Sequence, residues 1–426
     1  MASSSRRAVL TGIGLLTPIG LDVDSFWQSL QSGRSGIRPF QSFDASGLPV
    51  QFGGELADFD AKKYIDKKER KNLKMMARTI QLAVAAAQLA IDDSGVDKQQ
   101  LDLSRFGVEF GAGLIATELE EMADAARISS NCQPGSVDLE KWGEQGLARM
   151  PPLWMLKYLP NMLACQVSIL HNAQGPNNTI TETDVASLLA LGEAYRIISR
   201  DQADFFLVGG SDSKVNPLSL VRQCLFQPLS LRGDRPEKAC RPFDRHRDGL
   251  VIGEGAGVLA LEELEHARRR GARIYGEVVG FGASFDRARS GAGLARAVRS
   301  AMREAGIGPE EVDHVNANGF STLDADVWEA RGLNEIFGDL RPAVPVFAAK
   351  SYFGNLGAAG STTELAASLL AFKNGQLPAT LNYEEPDPAC PVSVAAVTRP
   401  VEQPYVVKVS FTDMGQCAAV VCKKWE

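Results

Sequence analysis

The stretch AAKSYFGNLGAAG, residues 348–360, places a lysine and an asparagine among three glycines. It follows the apolar run VPVFAA and precedes the helix-like TTELAASLLAF. A strand, a glycine-rich turn and a helix form the outline of a phosphate site, where backbone N–H groups approach a phosphate. However, Lys350 precedes the glycines, and Gly354, Gly357 and Gly360 follow a Gly-x-x-Gly-x-x-Gly spacing. Close helix packing is the alternative explanation for these glycines.

The elements around that turn alternate between β-rich runs and amphipathic helices. One series includes RTIQLAVAAAQLAIDDSG, GVEFGAG, ALGEAYRIISRDQAD and FFLVGGSD. A second begins near residue 274 with IYGEVVGFGAS and continues through GLARAVRSAMREAG and HVNANG. Strand runs separated by helical patterns are typical of α/β proteins. We therefore predict two related α/β halves of similar build.

The composition is that of a globular protein large enough to bury a substantial core. The chain has 426 residues, of which 45% are hydrophobic and 23% are charged, and its formal net charge is −7. This negative charge argues against nucleic acid as the main partner. No apolar run approaches the roughly 20 residues that cross a bilayer, so we predict no membrane span.

Cysteine usage indicates a reducing compartment. The seven cysteines are scattered and include no Cys-x-x-Cys pair, which predicts neither a disulfide framework nor a zinc site. We predict no metal or other cofactor, and a cytoplasmic location. Arg6 and Arg7 before an apolar stretch also fit a twin-arginine export signal. Pro18 interrupts that stretch, however, and RAVLTGIGLL reads equally well as a first strand and turn.

Three stretches stand out: VLTGIGLLTPIG near the start, VSFTDMGQCAAVVCKK near the end and, most specific of the three, CRPFDRHRDGLVIGEGAGVLALEELEHARRRGARIYGEVVGFG, residues 240–282. In these stretches the chain resembles the condensing β-ketoacyl synthases of fatty acid and type II polyketide synthesis. The resemblance implies an α/β thiolase-like fold with two pseudo-symmetric halves in α-β-α-β-α layers. We place the halves at residues 1–262 and 273–426.

Three positions of that family's active site differ in this chain. The nucleophilic cysteine corresponds to Asp184 in TETDVASLLALGEA, and the two histidines correspond to Asn318 in NANGFST and Asn355 in GNLGAAG. The resemblance makes AAKSYFGNLGAAG a catalytic loop and not a phosphate cradle. Lys350 and Glu254 are retained. The resemblance implies a buried ion pair between them, with either a structural or a catalytic role.

These differences remove the chemistry of condensation. A cysteine thiolate holds the acyl chain as a thioester, whereas attack by the Asp184 carboxylate would give a mixed anhydride, uphill from the thioester. The histidines stabilise the charge formed when a malonyl group loses carbon dioxide, and asparagine offers only a neutral N–H in their place. We predict structural roles for the histidines that the chain does have, His171, His246, His266 and His314.

The family's C-terminal loop, Gly-Phe-Gly-Gly-Thr-Asn, supplies an oxyanion N–H and gates the acyl pocket. The corresponding segment here is TDMGQC, so Thr412, Asp413, Met414 and Gly415 form the gating loop without the phenylalanine. If Asp413 and Asp184 lie close together, one carboxyl pKa rises or a malonyl carboxylate is repelled.

The segment KKYIDKKERKNLKMMAR, residues 62–78, holds eight basic residues against two acidic ones. In the family this segment is part of the docking surface for acyl carrier protein, an acidic partner. Lys71, Lys74 and Arg78 are the best candidates, because their spacing places them on one helical face. A solvated helix face is the alternative explanation.

The segment MPPLWMLKYLPNMLA resembles the family's stretch that enters the partner's acyl pocket across a dimer interface. A bulky Trp154 there would act as a stop in the tunnel, and a core tryptophan is the alternative. The resemblance also implies dimers, formed through the strand near DFFLVGGSD and adjacent helices.

Two classes of function follow from these observations. One is a non-catalytic homologue similar to a chain-length factor, which binds acyl carrier protein and forms a heterodimer with a catalytic ketosynthase, or otherwise a homodimer. Those factors commonly carry glutamine at the cysteine position, so the aspartate of this chain differs from their usual pattern. The other is an enzyme with altered chemistry, a decarboxylase or hydrolase acting on carrier-bound acyl groups. A stand-alone acyl-binding homodimer is a third possibility.

Overall fold

The computed structural model describes residues 6–131, 133 and 135–426. The strands are β1 Ala8–Leu16, β2 Ile37–Pro39, β3 Phe52–Gly54, β4 Phe106–Ala112, β5 Asn177–Ile180, β6 Phe205–Ser213, β7 Glu254–Glu263, β8 Gly276–Phe285, β9 Val312–Asn316, β10 Pro345–Phe347, β11 Gln376–Leu377, β12 Ser393–Val394, β13 Arg399–Pro400, β14 Tyr405–Phe411 and β15 Gln416–Lys424. The helices are α1 Val23–Gln31, α2 Arg78–Ser94, α3 Leu119–Ser129, α4 Leu139–Lys141, α5 Met162–His171, α6 Ala186–Ser199, α7 Pro217–Phe226, α8 Leu264–Arg269, α9 Ala292–Ala305, α10 Ala325–Phe337, α11 Lys350–Phe353 and α12 Gly360–Asn374.

The main sheet has eleven strands in the order β12-β10-β9-β14-β15-β8-β1-β7-β6-β4-β5. From β1 outward, β7 and β6 add antiparallel, and β4 and β5 add parallel. From β8 outward, β15 and β14 add antiparallel, and β9 and β10 add parallel. The same order and directions occur twice, so the prediction of two pseudo-symmetric α/β halves is confirmed.

Helices pack on the sheet in the same way in both halves. On β1, a Cβ added to Gly14 would lie 2.0 Å from the carbonyl oxygen of Ala86 on α2. On β8, a Cβ added to Gly282 would lie 2.1 Å from the carbonyl oxygen of Ala297 on α9. Only glycine permits such a close approach of helix and strand backbones.

Helices α6 and α12 form the layer between the two halves of the sheet. Helix α6 packs against β4, β5 and β6 of the first half and against β8 and β15 of the second. Helix α12 likewise contacts β6 and β7 as well as β9 and β14, and its residues 360–372 are all buried. The loops that enter these two helices therefore meet at the centre of the molecule.

The edge of the first half is strand β5, since β6 pairs with β7 on one side and with β4 on the other. All residues of β6 are buried. The part of the predicted dimer interface assigned to the strand at DFFLVGGSD is therefore wrong, because an apolar run of this kind belongs inside the sheet. The dimer itself and the contribution of the adjacent helices stay a prediction. We propose residues 1–262 and 273–426 as the two halves, with α8 between them.

No described helix is long and apolar enough to cross a membrane.

Candidate functional site

Asp184 lies at the entry to central helix α6, in the 3₁₀ turn Thr183–Val185. The turn begins with Thr183 at φ 45°, a left-handed conformation that costs free energy in a β-branched residue. The backbone carbonyl of Asp184 accepts hydrogen bonds from the hydroxyls of Ser361, at 2.8 Å, and Ser410, at 3.1 Å. Residues from α12 and β14 thus fix the backbone that presents the Asp184 side chain.

Asn355 contacts Asp184 directly. Its side-chain amide donates to the Asp184 carboxylate over 2.6 Å, and its side-chain oxygen accepts from the N–H of Gly357 over 3.2 Å. The turn needs glycine at 354 and 357, where φ is 76° and 53°. The structure therefore brings together two of the predicted site residues, Asp184 and Asn355.

The N–H groups of the glycine-rich turn bond to side chains of the protein. Gly357 donates to Asn355, and Ala358 donates to the carboxylate of Asp212 over 3.3 Å. A Cβ on Gly357 would lie 2.3 Å from the same carboxylate. The glycine at 357 therefore accommodates an internal carboxylate.

Asp212 lies near the end of the buried strand β6 and Lys214 directly follows that strand; the sequence analysis missed both residues. Their side chains form an ion pair at 3.0 Å, and both line the same cavity as Asp184. Burial raises the pKa of Asp184, and the Asp212 charge adds to that rise. The Lys350 charge, the Asn355 hydrogen bond and the Lys214 charge lower it in part. An Asp and a Lys directly after an apolar strand, in VGGSDSK, were the available signal.

Asn318 is buried and lies next to Lys350. The Lys350 ammonium donates to the backbone oxygen of Asn318 at 2.9 Å and to its side-chain oxygen at 3.0 Å. The backbone N–H of Asn318 donates to Glu329 over 2.6 Å. The side-chain NH₂ group of Asn318 has no hydrogen-bond partner within the described residues. The oxygens of Asn318 thus accept hydrogen bonds from Lys350, whereas its side-chain NH₂ donor is unused within the described residues.

The predicted ion pair between Glu254 and Lys350 is wrong. Glu254 binds the guanidinium of Arg78 through both carboxylate oxygens, each at 2.7 Å. Lys350 binds Glu364 at 2.7 Å. Position in the fold explains the difference, because Glu254 begins β7 beside the start of α2, whereas Lys350 begins α11 beside α12.

The basic segment 62–78 is not one helix. Lys71 and Lys74 lie in the 3₁₀ helix Arg70–Met75 and are exposed, whereas Arg78 is the first residue of α2. The prediction that all three share one helical face is therefore wrong. Arg78 is also occupied by Glu254, which leaves Lys71 and Lys74 as the accessible cations among the three.

A second buried lysine, Lys408, was also missed. Its ammonium binds Glu364 at 2.5 Å and the carbonyl oxygen of Ala317 at 3.0 Å. Burial lowers the pKa of Lys408 to about 8 and raises that of Glu329 to about 7. Glu364 therefore bridges Lys350 and Lys408, and this charged network lies directly behind Asn318. The signal was a lysine in the apolar run YVVKVSF.

The segment 412–415 is the tight turn between β14 and β15. The N–H of Gly415 donates to the carbonyl of Thr412 at 3.0 Å, and φ of Gly415 is 105°. Thr412 is buried, whereas Asp413 and Met414 are exposed. Asp413 lines the same cavity as Asp184, but the carboxylate that acts on the Asp184 pKa is Asp212.

The cavity in front of Asp184 has a volume of about 530 Å³. Its apolar wall includes Leu250, Ile252, Phe320 and Trp328, and its charged residues include Arg222, Arg289, Asp248 and Asp324. No cysteine or histidine lines it within the described residues; Cys132 is outside them. No described cluster of His, Cys, Asp and Glu has the arrangement of a metal site.

Trp154 does not line the cavity of its own chain. It begins the 3₁₀ helix Trp154–Lys157, is partly buried, and its ring centroid lies 5.5 Å from that of Tyr158.

His314 is fully buried, and its two ring nitrogens lie 2.8 Å from the Asp313 carboxylate and 2.8 Å from the Ser368 hydroxyl.

Comparisons with known proteins agree with this architecture. The family model for the β-ketoacyl synthase N-terminal domain matches residues 5–267, and that for the C-terminal domain matches residues 275–384. The 3-oxoacyl-[acyl-carrier-protein] synthase 2 of Vibrio cholerae is 35% identical over 430 residues, which cover 99% of this chain and 100% of the relative.

Two solved structures are similar over nearly the whole chain. The ishigamide ketosynthase/chain length factor has 30% identity and a TM-score of 0.85, covering 99% of this chain and 100% of that chain. A type II PKS acyl-carrier protein in complex with its ketosynthase bound to the hexaketide gives 27% identity, a TM-score of 0.85 and the same coverage. The fold is thiolase-like, and the chain belongs to the β-ketoacyl synthase family.

Proposed function

We propose that this chain is a non-catalytic, cytoplasmic ketosynthase-like subunit that pairs with a cysteine-bearing ketosynthase, in the manner of a chain-length factor. The observation that supports this most directly is the Asp184 carboxylate, held by Asn355 at the entry to α6. No described cysteine lines the cavity in front of it. Covalent transfer of an acyl chain needs a nucleophile whose acyl product is not higher in free energy than the starting thioester. A carboxylate would form a mixed anhydride, which is higher in free energy, so Asp184 is a poor nucleophile for this step.

The second step of condensation has fewer available donors as well. Stabilising an enolate or oxyanion requires N–H groups aimed at the developing charge. The Asn318 amide nitrogen is buried beside Lys350 and does not line the cavity, and the Asn355 amide is bonded to Asp184. The Asn355 amide thus donates a hydrogen bond to Asp184, another of the predicted site residues. This contact supports a structural role for the pair.

The retained features support a scaffold that shapes a shared acyl tunnel. The chain has a cavity of about 530 Å³ with an apolar wall in front of Asp184, although the residues that the resemblance assigns to catalysis differ. The network of Lys350, Glu364 and Lys408 holds the loops around it. A similar solved structure is described as a ketosynthase/chain length factor, which agrees with this interpretation. We propose that Asp413 and Met414 border the entrance, in the place of the family's gating loop.

We propose acyl carrier protein as a further partner. One similar structure is by its title an acyl-carrier protein in complex with its ketosynthase. In this chain of net charge −7, Lys71 and Lys74 are exposed and make no ion pair within the described residues. An acidic partner is attracted to such a patch over a distance of about 10 Å at moderate salt.

Exposed apolar side chains support association with another subunit. Leu153, Met155 and Ile169 are each more than 60% exposed, and they belong to or flank the segment that carries Trp154. Monomeric proteins rarely leave such groups clustered at their surface. A partner that covers them would also place Trp154 near its own acyl pocket, as the resemblance implies.

A second candidate function is an enzyme with altered chemistry, a decarboxylase or hydrolase acting on carrier-bound acyl groups. The raised pKa of Asp184 favours it, because a carboxyl that keeps its proton to higher pH is suited to acid or base catalysis. The position of Asp184 at the wall of a cavity is also compatible with this function.

The test is co-expression with each cysteine-bearing ketosynthase of the same host, followed by size-exclusion chromatography and a condensation assay with acyl and malonyl carrier proteins. We expect a heterodimer whose product disappears when the partner's cysteine is replaced by alanine and persists with Asp184→Asn in this chain. Turnover of a carrier-bound acyl group by this chain alone, abolished by Asp184→Asn, would instead establish the altered enzyme.

A further inference from the structure

Three separate basic stretches of the sequence meet at one end of the main sheet. They are RRRGARIY before strand β8, AFKNG at the end of helix α12 and VCKKW at the end of strand β15. Strands β8 and β15 pair antiparallel, with Gly276 opposite Lys424, so the start of one strand lies beside the end of the other. The end of α12 borders the same pocket as these two strand ends.

This pocket concentrates positive charge in an acidic protein. Its volume is about 500 Å³, which is within the range of small-molecule sites. Arg273, Lys373 and Lys424 line it, and no acidic residue lines it within the described part of the chain. In a chain of net charge −7, a recess with three cations and no carboxylate in its wall attracts anions locally.

The buried ring of Tyr275 positions two of the three cations. The guanidinium carbon of Arg273 lies 4.7 Å from the ring centroid, and the ammonium of Lys373 lies 5.6 Å from it. Cations are attracted to the face of an aromatic ring at such distances. The Tyr275 hydroxyl lies 2.9 Å from the Asp93 carboxylate, which fixes the ring in turn. The cations are therefore held at the pocket and do not extend freely into solvent.

The carboxylates beside the pocket are already paired. Asp93 binds the guanidinium of Arg273 as well as the Tyr275 hydroxyl. Glu277, which follows the start of β8, binds Arg7 through two hydrogen bonds. Neither carboxylate belongs to the wall of the pocket. Each is thus directed at a partner of its own and is not available to neutralise the lysines.

Two positive charges remain without a counterion. Lys373 is exposed and Lys424 is partly buried, and neither forms an ion pair within the described residues. Asp93 offsets the charge of Arg273, so the two lysine charges are left uncompensated. Asp24 on α1 also acts on Tyr275, but it is exposed, and solvent screens its charge.

The end of α12 does not cancel this positive charge. The last carbonyl groups of a helix carry partial negative charge. Here the carbonyl of Leu370 accepts from the side chain of Asn374 at 2.8 Å, and that of Ala371 accepts from the N–H of Gly375. Because these carbonyls are bonded within the protein, the full charges of the lysines dominate at the pocket.

We propose that this pocket binds a small phosphate monoester, with its phosphate at Lys373 and Lys424 and its organic group against Ile274 and Phe372. A phosphate monoester carries a charge of about −1.5 to −2 at pH 7, which matches the two uncompensated lysines. Lysine is a common ligand of phosphate groups. A bare phosphate would leave most of the volume empty, whereas an organic group fills it against the apolar side of the wall.

A lipid surface is a poor occupant of the same pocket. Binding to a membrane surface requires apolar side chains that reach into the bilayer beside the cations. The apolar and aromatic residues here, Ile274, Tyr275, Phe372 and Trp425, are buried or half-buried. The phosphate group is therefore expected on a soluble molecule that enters the pocket.

The pocket lies at the opposite end of α12 from Asp184. Ser361, at the start of this helix, donates to the backbone carbonyl of Asp184, whereas Lys373 near its end lines the pocket. A helix of 15 residues is about 22 Å long. Binding here is therefore independent of the proposed function, and its test needs no partner chain.

Isothermal titration calorimetry of the full chain tests the pocket with three probes, AMP, inorganic phosphate and adenosine, at about 0.15 M salt. We expect AMP to bind with a Kd below about 1 mM. Inorganic phosphate should bind more weakly, because it lacks the organic group, and adenosine should not bind, because it lacks the phosphate.

Variants locate the binding. Lys373→Gln with Lys424→Gln should weaken AMP binding about tenfold or more, since both charged hydrogen-bond donors to the phosphate are lost. The matched control, Lys67→Gln with Lys68→Gln, removes the same charge from the exposed basic segment and should bind AMP as wild type does. If the first double variant does not fold, the exposed Lys373→Gln alone provides the comparison.

The outcomes are distinct. Equal AMP affinity of wild type and the variant at 373 and 424 would overturn the pocket, and so would the absence of AMP binding. Equal losses in both double variants would overturn it as well, because net charge alone would then explain the binding. Adenosine binding as tight as that of AMP would refute phosphate recognition. Cosedimentation with phosphatidylglycerol vesicles through Lys373 and Lys424, without AMP binding, would assign these lysines to a lipid headgroup and overturn the soluble ligand.

Discussion

The side-chain amide of Asn355 donates a hydrogen bond of 2.6 Å to the carboxylate of Asp184. The resemblance predicts that these two residues stand at the positions of the family's cysteine and one of its histidines. That family pair would join a nucleophile to a stabilising donor, whereas here a carboxylate is joined to the amide that orients it. Asp184 accepts a hydrogen bond from the Asn355 NH₂ group, which has two N–H donors. One donor is therefore left for any bound group.

The first prediction concerns acylation. We expect wild-type protein incubated with acyl carrier thioesters to show no covalent adduct, because the Asp184 carboxylate would have to form an anhydride. Asp184→Cys should become modified by iodoacetamide at position 184, since the entry to α6 and the nearby Lys350 charge favour a thiolate. Intact-protein and peptide mass spectrometry measure both. An acyl adduct on Asp184 of the wild type would contradict the non-catalytic function.

The second prediction concerns stability and pH. The folded-state pKa of Asp184 is raised, so the folded chain keeps this proton to a higher pH than the unfolded chain. Its contribution to the free energy of unfolding therefore falls as the pH rises from the ordinary aspartate pKa through the raised value.

Asp184→Asn cannot ionise, and its amide oxygen can still accept from Asn355. We expect it to be more stable than wild type near pH 8, by about 1 to 3 kcal/mol, with the difference vanishing near pH 4. Urea unfolding at both pH values measures this, with the exposed Asp58→Asn as the control. A variant less stable than wild type near pH 8 would show that the ionised carboxylate is needed by its neighbours.

The sequence predicted the architecture well, because the strand and helix periods of each half are strong and local. The apolar run of β6 and the glycine-bearing strands β1 and β8 follow directly from those patterns. Resemblance to a known family also predicted that Asp184 and Asn355 belong to one site, and the structure brings these two residues into contact. The order of residues along each motif was sufficient to predict that they meet, because the loops that carry Asp184 and Asn355 lead into the two central helices, α6 and α12.

Partners of buried charges could not be predicted in the same way. Lys350 and Glu254 are both buried, but the pairing depends on which helix end faces which strand end, and that is a property of tertiary packing. The basic segment was predicted as a helix from its spacing, yet it contains parts of two short 3₁₀ helices, Ala61–Lys63 and Arg70–Met75, before Arg78 begins α2. The polar edge strand NNTI gave no clear β signal, because asparagine is rare in strands.

The third prediction tests the corrected ion pairs. Glu364 bridges the buried ammonium groups of Lys350 and Lys408, so Glu364→Gln leaves two buried cations without their anion. We expect a loss of about 3 to 5 kcal/mol in the free energy of unfolding. Glu254→Gln should cost less, because the Arg78 side chain is 37% exposed and can be hydrated. Urea denaturation of both variants measures the difference, and a larger loss for Glu254→Gln would contradict this assignment.

The fourth prediction concerns product length. Trp154 lies outside its own chain's cavity, so any effect on an acyl chain has to act through the partner's tunnel. In the reconstituted heterodimer, Trp154→Ala should lengthen the product, because it removes a bulky stop. Trp142→Ala is the control, as another partly buried tryptophan of the same region. Chromatography of the products checks this, and unchanged product length with Trp154→Ala would leave it as a core residue.

The fifth prediction concerns docking of acyl carrier protein. Lys71 and Lys74 are exposed and lie in one 3₁₀ helix, and an acidic partner is steered to them by charge. Charge reversal at both, Lys71→Glu with Lys74→Glu, should weaken binding, mainly by slowing association, and the loss should shrink as salt is raised. The matched control reverses the exposed Arg269 and Lys373, which changes the net charge equally outside the basic segment.

Surface plasmon resonance at low and high salt measures both rates. Because the two double variants carry the same net charge, a selective effect at 71 and 74 has to arise from the local patch and not from the overall field. Arg78→Gln should act differently, since it breaks the pair with Glu254 and lowers stability before it changes docking. Equal association rates for both double variants at low salt would show that the basic segment is only a solvated surface.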